Sequence, residues 1–484
     1  MPDAAAPWRI AGRVLDCCGA CAARPGTLHL RAGGITGFAE GADGGGEGRL
    51  LMPPLANAHD HARGVKPSAI GGFDLPLELW LIYMTGLPPV DPYLVAAAAL
   101  ARQARGGLGS IMVHYTRPQD ASRVGEELEV VARAACDVGV RVAIAVAMRD
   151  RNPLGYAPDG VLLARLDPSD RALVRQKLLR TPASPDEQVR LVDELADRIG
   201  SDLVMVQYGP YGLEWCSDPL LRRIAERSAE TGRRVHMHLL ESPLQREYLD
   251  HAFPQGPVRY LDGIGLLSPR LSVAHGTQLR GDEMALLAER GVIVSVNTSS
   301  NLILRNGVAG MAAMHRHGVR IATGLDGFSV DDDDDALREL RLAYMLHRGR
   351  GLEEGMPLGA LMRAACQTGR EAVTGLAPAP LGAGAPADLL EIDYAAVGEG
   401  VAVDLDEARL LAHRAAGRHI AGMTVAGREV VRAGTVLGVD LPGIERELDA
   451  QVRHGADAFR SWQEVGGRVR ARLQEFYAAG LHCG

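Results

Sequence analysis

From residue 50 to about 350 the chain alternates short β-like runs with longer amphipathic stretches, eight times over. The runs are 50–57, Ser110–His114, Val140–Met148, Leu203–Gln207, Val235–Leu239, Leu271–His275, Val292–Val296 and Val319–Thr323. Helical patterns occupy 91–107, 119–138, 186–200, 217–232, 280–290, 308–318 and 333–348, with a less regular one inside 243–265. Several follow Ser, Asp or Pro and stop at Gly, as helix ends prefer. Gly139, Gly232, Gly291 and Gly318 each stand just before the next run, where a helix must end in left-handed geometry. Eight β-then-α units in roughly 300 residues is the arithmetic of a (β/α)8 TIM-like barrel. A doubly wound open sheet is the alternative, but no Gly-x-Gly-x-x-Gly turn follows the first run.

The flanks have a different texture. Residues 8–50 and 387–440 are Gly-rich with short β-like pieces, and Ala377–Pro386 is a Pro/Gly/Ala linker. The expected organisation is a small composite β-sandwich domain built from 1–52 and 385–440, a barrel over 53–384, and a helical tail over 441–484. That tail offers little catalytic chemistry, and its apolar positions are expected to pack on the body or on a second subunit.

Composition excludes several classes. A net charge of −8 argues against a nucleic-acid footprint. No apolar run approaches the ~20 residues of a membrane span. Met1–Gly12 lacks the charged-then-apolar order of a signal peptide, so a cytoplasmic location is expected. Seven scattered cysteines read as reduced thiols rather than a disulfide framework. Cys17, Cys18 and Cys21 cluster, but no second Cys/His pair lies nearby in sequence to complete a structural zinc site. They are expected to be buried thiols.

In a barrel, function gathers at the C-terminal ends of the strands. His59 and His61 stand at the end of the first run, and residues i and i+2 of an extended segment point to one side. His238 and Glu241 end the fifth run, His275 ends the sixth, and Asp326 follows the eighth in a Thr-Gly-Leu-Asp-Gly segment. A lone His after a strand, or a lone Asp-Gly, is ordinary loop chemistry. Their joint appearance at successive strand ends points to a first-row divalent metal, with zinc the leading candidate. His236 shares the face of His238 and competes with it as a ligand.

Taken together, Asn57-Ala58-His59-Asp60-His61 with Arg63-Gly64, His238-Leu239-Leu240-Glu241, Ala274-His275-Gly276, Asn297–Asn301, Leu325-Asp326-Gly327 and Ala387-Asp388-Leu389-Leu390 resemble the amidohydrolase superfamily. Within it they are similar to the cytosine/guanine deaminase and triazine (chloro)hydrolase branch. The resemblance covers the chain to about residue 440. It implies that His59, His61, His238 and Asp326 hold one divalent ion and a water, with Zn2+ favoured and Fe2+ the alternative. It also implies that Glu241 protonates the substrate ring, that His275 positions the water or the tetrahedral oxygen, and that Asp326 doubles as base. The family spacing to Glu241 selects His238 over His236. Some members bridge two metals with a carboxylated lysine after the fourth strand. The only lysines here are Lys66 and Lys177, neither at that position, so a mononuclear site is expected.

One departure affects the substrate. Relatives carry a Pro-His segment after the fourth strand, and here Tyr211 stands where that His is expected. Gln207, Tyr211, Trp215 and His114 are the candidate substrate contacts. Asp331–Asp335 reads either as a solvated helix start or as an electronegative mouth that attracts amino-heterocycles.

The expected activity is hydrolytic deamination of an aminated N-heterocycle such as a purine, pterin, pyrimidine or triazine, with release of ammonia. The alternative keeps the site and changes the leaving group to chloride, an alkylamine or a formimino nitrogen. A non-catalytic scaffold is disfavoured because all four ligands and Glu241 are present. The expected partner is a small-molecule heterocycle, with no nucleic acid and no membrane, in a homo-oligomer of two or more copies.

Overall fold

Eight parallel strands, taken in chain order, form one continuous sheet in the computed structural model, which describes residues 7–18, 21–41, 46 and 48–483. They are β1 (Leu55–Asp60), β2 (Leu108–Tyr115), β3 (Arg141–Met148), β4 (Val204–Pro210), β5 (Val235–Leu239), β6 (Leu271–His275), β7 (Ile293–Val296) and β8 (Arg320–Thr323). All residues of β2 are buried, as expected of strands covered on both faces. Helices separate them, and Gly139, Gly232, Gly291 and Gly318 adopt φ of 94°, 72°, 68° and 77° at the stops where left-handed geometry was expected.

The sheet closes where β1 meets the segment after β8. Asp326 N donates to His59 O at 2.9 Å, Leu325 N to Asn57 Oδ1 at 2.8 Å, and Gly327 N to Asp60 Oδ2 at 2.9 Å. The result is a (β/α)8 barrel.

The apolar run 50–57 is not one strand. Pro53-Pro54 lack the N–H groups a ladder needs, and they divide it. Arg49–Met52 joins a second sheet, and β1 starts only at Leu55. Among the described residues that second sheet has eight strands, drawn from both ends of the chain. Arg49–Met52 runs parallel to Trp8–Val14 on one side and antiparallel to Leu389–Asp393 on the other, so it stitches the two ends together.

Helical segments outside the expected pattern complete the body. Leu358–Arg363, a π turn over Ala364–Thr368 and Gly369–Thr374 pack against the barrel at its strand-start end, where Ala372 joins Ala58, Ile293 and Ala322. At the opposite end, Leu77–Met84 (α1) and the insertion carrying Asp159–Leu163 and Pro168–Leu178 pack with the tail helix Ala456–Ala478 (α2). Arg468 pairs with Asp170 through two hydrogen bonds of 2.7 Å across this contact. Among the described residues no helix is long and apolar enough to cross a membrane.

The Ala387-Asp388-Leu389-Leu390 segment joins the two sheets. Asp388 accepts from Arg141 Nε at 2.9 Å and Nη2 at 3.0 Å, and from Ala426 N at 2.7 Å. Both partners of the Arg141–Asp388 pair are buried. Asp388→Ala would strand the guanidinium, so we expect a loss of roughly 3–5 kcal/mol, read as a lowered denaturant midpoint. A midpoint unchanged by the substitution would contradict this role.

Candidate functional site

The strand ends place His59, His61, His238, His275, Glu241 and Asp326 around one point. Donor atoms of His59, His61 and Asp326, of His59, His238 and His275, and of Glu241, His275 and Asp326 lie within 4.8 Å of one another in each set. Several backbone positions here are strained. Ala62, Leu240, His275 and Asp326 have φ of 51°, 53°, 75° and 55°, a region costly to side-chain-bearing residues.

Each imidazole is oriented through its other nitrogen. His59 Nδ1 lies 2.8 Å from His236 Nε2, and His236 Nδ1 lies 2.8 Å from Ser272 Oγ. His61 Nδ1 reaches His114 O at 2.7 Å and Thr116 Oγ1 at 2.9 Å. His238 Nδ1 donates to Tyr211 O at 2.7 Å, and His275 Nδ1 to Asn301 Oδ1 at 2.9 Å. Every Nε2 is thereby left for the centre. Those of His59 and His275 are buried with no hydrogen-bond partner. Asp326 Oδ2 accepts from Ser300 Oγ at 2.6 Å, while Oδ1 faces His61 Nε2 at 3.0 Å and His59 Nε2 at 3.4 Å.

Orphaned buried nitrogens are costly unless something binds them. Three imidazoles whose second nitrogens are fixed by hydrogen bonds, with one carboxylate, form a donor set that fits a divalent ion such as zinc. His236 has both nitrogens engaged, Nε2 by His59 Nδ1 and Nδ1 by Ser272 Oγ.

Burial drives the protonation states. It lowers the pKa of His59, His238 and His275, keeping them neutral. Burial would raise the Asp326 pKa, but the Arg63 guanidinium and the facing imidazoles of His59 and His61 hold it well below the usual carboxylate range. The Glu241 carboxyl is raised well above normal by burial first, then by Asp326, Glu78 and Glu214. Glu241 Oε1 accepts from Asn306 Nδ2 at 2.9 Å, and Oε2 lies 3.5 Å from His275 Nε2.

These groups open into a cavity of about 270 Å³, walled by His61, His238, Glu241, Trp80, Tyr211 and Trp215 among others. That is near the lower edge of the roughly 300–1,000 Å³ usual for small-molecule sites. Tyr211 and Trp215 therefore stand where substrate contacts were expected. His114 and Gln207 do not. His114 is fully buried beneath His61 and His238, its Nε2 donating to Gly209 O at 3.0 Å. Gln207 turns toward the closed end, donating to Ala372 O and Val373 O, each at 3.1 Å.

The acidic run is not an electronegative mouth. Asp331, Asp333 and Asp335 clasp Arg338, Asp334 pairs with Lys66, and Asp332 accepts from Ser68. Asp335 also caps the helix Ala336–His347. Two features escaped the sequence reading. Glu78 of α1 lines the cavity, as does Tyr477 of the tail, whose hydroxyl accepts from Tyr156 N at 3.1 Å. The tail's aromatics, Phe459, Trp462, Phe476 and Tyr477, were a usable signal in a chain only 4% aromatic. The thiols of Cys17 and Cys21 are buried and free, as expected, whereas Cys18, also free, is only half-buried.

Residues 50–430 match the model of the amidohydrolase family. A 5'-deoxyadenosine deaminase of Methanothermobacter thermautotrophicus is 29% identical over 308 residues, 63% of this chain and 64% of that protein, just under two thirds of its length. A 5-methylthioadenosine/S-adenosylhomocysteine deaminase of Nitratidesulfovibrio vulgaris is 30% identical over 417 residues, 82% of this chain and 83% of that protein. Among solved structures, an adenosine deaminase from Xanthomonas campestris with bound zinc has a TM-score of 0.74 at 22% identity, covering 94% of this chain and 98% of that one. The atrazine chlorohydrolase of Arthrobacter aurescens complexed with zinc has a TM-score of 0.76 at 20% identity, covering 92% and 99%. At these identities the two structures establish the shared fold.

Two outcomes follow from this geometry. His236→Ala frees His59 Nδ1, so we expect zinc affinity to fall about 10–100-fold in a chelator competition. Unchanged affinity would remove His236 from its supporting role. Glu214 is fully buried, and burial pushes its carboxyl up to about 7. The folded state therefore keeps a proton that the unfolded chain releases, and stability drops as pH rises from about 4.5 to about 7. Glu214→Gln should remove a slope of roughly 2–4 kcal/mol across that window in unfolding titrations. An equal slope in both proteins would contradict it.

Proposed function

The chain belongs to the amidohydrolase family, and on that premise we propose that it hydrolyses the exocyclic C–NH2 bond of an aminated N-heterocycle, with one divalent ion per subunit. In this reading His59, His61, His238 and Asp326 hold the ion. Zinc suits the imidazole-rich set, and Fe2+ is the alternative. Once bound, the ion lowers the pKa of water enough for a nucleophile to exist at neutral pH. The single-ion reading is supported by Lys66, which is spent on Asp334, and Lys177, whose Nζ lies 4.2 Å over the Trp462 ring. Seven free cysteines support a reducing, cytoplasmic location.

The observation that carries this function is Glu241. Its carboxyl is buried in the cavity wall and pushed well above the usual carboxylate range, beside an aspartate held well below it. Two acids pushed to opposite protonation states divide the proton work between them. Asp326 accepts a proton from the attacking water. Glu241 donates to the ring nitrogen beside the reacting carbon, which makes that carbon electrophilic. Neutral His275, fixed by Asn301, offers Nε2 toward the same point. Passing a second proton to the amino group releases ammonia. The balance is an amidine plus water giving a lactam and ammonia.

Purine, pterin, pyrimidine and triazine amines are the substrates to assay, scoring ammonia separately from chloride and alkylamine. Glu241→Gln should retain its metal while ammonia release falls about 10²–10⁴-fold. Near-normal turnover in that variant would contradict the assignment. Absence of ammonia from every C–NH2 compound would favour another leaving group.

A further inference from the structure

The cavity wall carries charges of both signs: Glu241, Asp326 and Glu78 line it, and so do Arg117 and Arg149. Among the described residues neither arginine has a carboxylate within ion-pair distance, although the chain as a whole is acidic at −8.

Arg117 follows Thr116 just beyond the end of β2. Its Nη2 donates to Leu87 O at 2.9 Å, and its Nη1 is buried with no partner. The charged and titratable groups that face it are Arg63, Tyr211 and Lys177, none of which neutralises it at pH 7. Burial and Arg63 together push its guanidinium down to about 10, so it stays charged at neutral pH. Arg149, one residue past β3, is exposed at the rim and stacks 4.7 Å over the Tyr211 ring. Asp159 senses Arg149 electrostatically but spends its Oδ1 on Leu154 N at 3.4 Å. Tyr211 ties the two together: its ring lies under Arg149 and its hydroxyl bonds Thr116 O, the residue before Arg117. Its own carbonyl orients His238. A third cation, Lys177, is repelled by Arg117 and also lacks a carboxylate.

An uncompensated, largely desolvated guanidinium is expensive, and proteins keep such groups where an anion will arrive. We propose that the substrate carries an anionic substituent, a carboxylate or a phosphate, which seats between Arg117 and Arg149 against Tyr211 while the amino-bearing ring faces Glu241. This rests on the deaminase reading and names its substrate class: an amino-heterocycle with a negatively charged arm. Planar guanidinium forks suit the two or three oxygens of such a group. Tyr211 then has a definite job. It supplies an aromatic shelf that holds Arg149 over the cavity wall and leaves room for the charged arm.

The test compares matched pairs on the metal-loaded enzyme: pterin with pterin-6-carboxylate, and adenosine with adenosine 5'-monophosphate. The first pair probes a carboxylate and the second a phosphate. In at least one pair, kcat/KM should favour the charged member by about tenfold or more, with KM carrying the difference. That ratio should shrink as KCl rises from about 20 to about 500 mM. Arg117→Gln combined with Arg149→Gln should reduce the ratio at least about tenfold. A ratio of one or below in both pairs, or one that survives the double substitution, overturns the proposal. Calorimetric titration of the same four compounds into Glu241→Gln reads the inference without turnover. Preferential binding of a charged member supports it even where no ammonia is ever detected, and equal or weaker binding of both charged members overturns it. Loss of the deaminase reading is thereby distinguished from loss of this one.

Discussion

The barrel closes through the same residues that assemble its chemistry. At the seam between β1 and the segment after β8, Asp326 N bonds His59 O, and the Asn57 and Asp60 side chains accept from Leu325 N and Gly327 N. The Asp326 carboxylate therefore stands beside His59 and His61 because the backbone ladder puts it there. Gly324 shows how tight the seam is: a Cβ there would meet Asn297 Oδ1 at 2.4 Å and His59 N at 2.9 Å. Loosening the closure would pull a carboxylate away from two imidazoles at once.

Around that seam, burial alone would push every acid and base toward neutrality. The protein resists it at one point. Arg63 donates to Asp326 O at 2.5 Å and is itself held over the Trp80 ring at 4.9 Å, so a positive charge sits permanently beside Asp326. Glu241 has no such partner, and its neighbouring charges are other carboxylates. Two acids a few ångströms apart in one cavity are thus pushed in opposite directions, and the neutral imidazoles between them keep their lone pairs. Strained backbone at Ala62, Leu240, His275 and Asp326 accompanies the arrangement, at a cost of order 1–3 kcal/mol each.

The eightfold alternation and the glycine stops made the barrel readable, because strand and helix periods leave their marks in local sequence. His59, His61, His238, His275, Glu241 and Asp326 were readable for the same reason, each falling at the end of a β-like run. What local sequence could not carry was direction across space. His114 and Gln207 share strands with pocket-facing neighbours but point beneath the histidines and toward the closed end. The run 50–57 looked continuous until Pro53-Pro54 divided it between two sheets. The acidic run looked free because Arg338, Ser68 and Lys66, which engage it, come from other parts of the chain or the next helical turn. The tail's part in the cavity depends on contacts hundreds of residues apart, such as Trp462 with Thr85.

The central claim is that His59, His61, His238 and Asp326 converge to hold one divalent ion. X-ray absorption on the zinc-loaded protein tests it most directly. About one zinc per chain is expected, with a nitrogen/oxygen shell at about 2.0–2.2 Å that shows imidazole scattering and is lost in His59→Ala. A sulfur shell at about 2.3 Å, or an imidazole signal that survives His59→Ala, would contradict it.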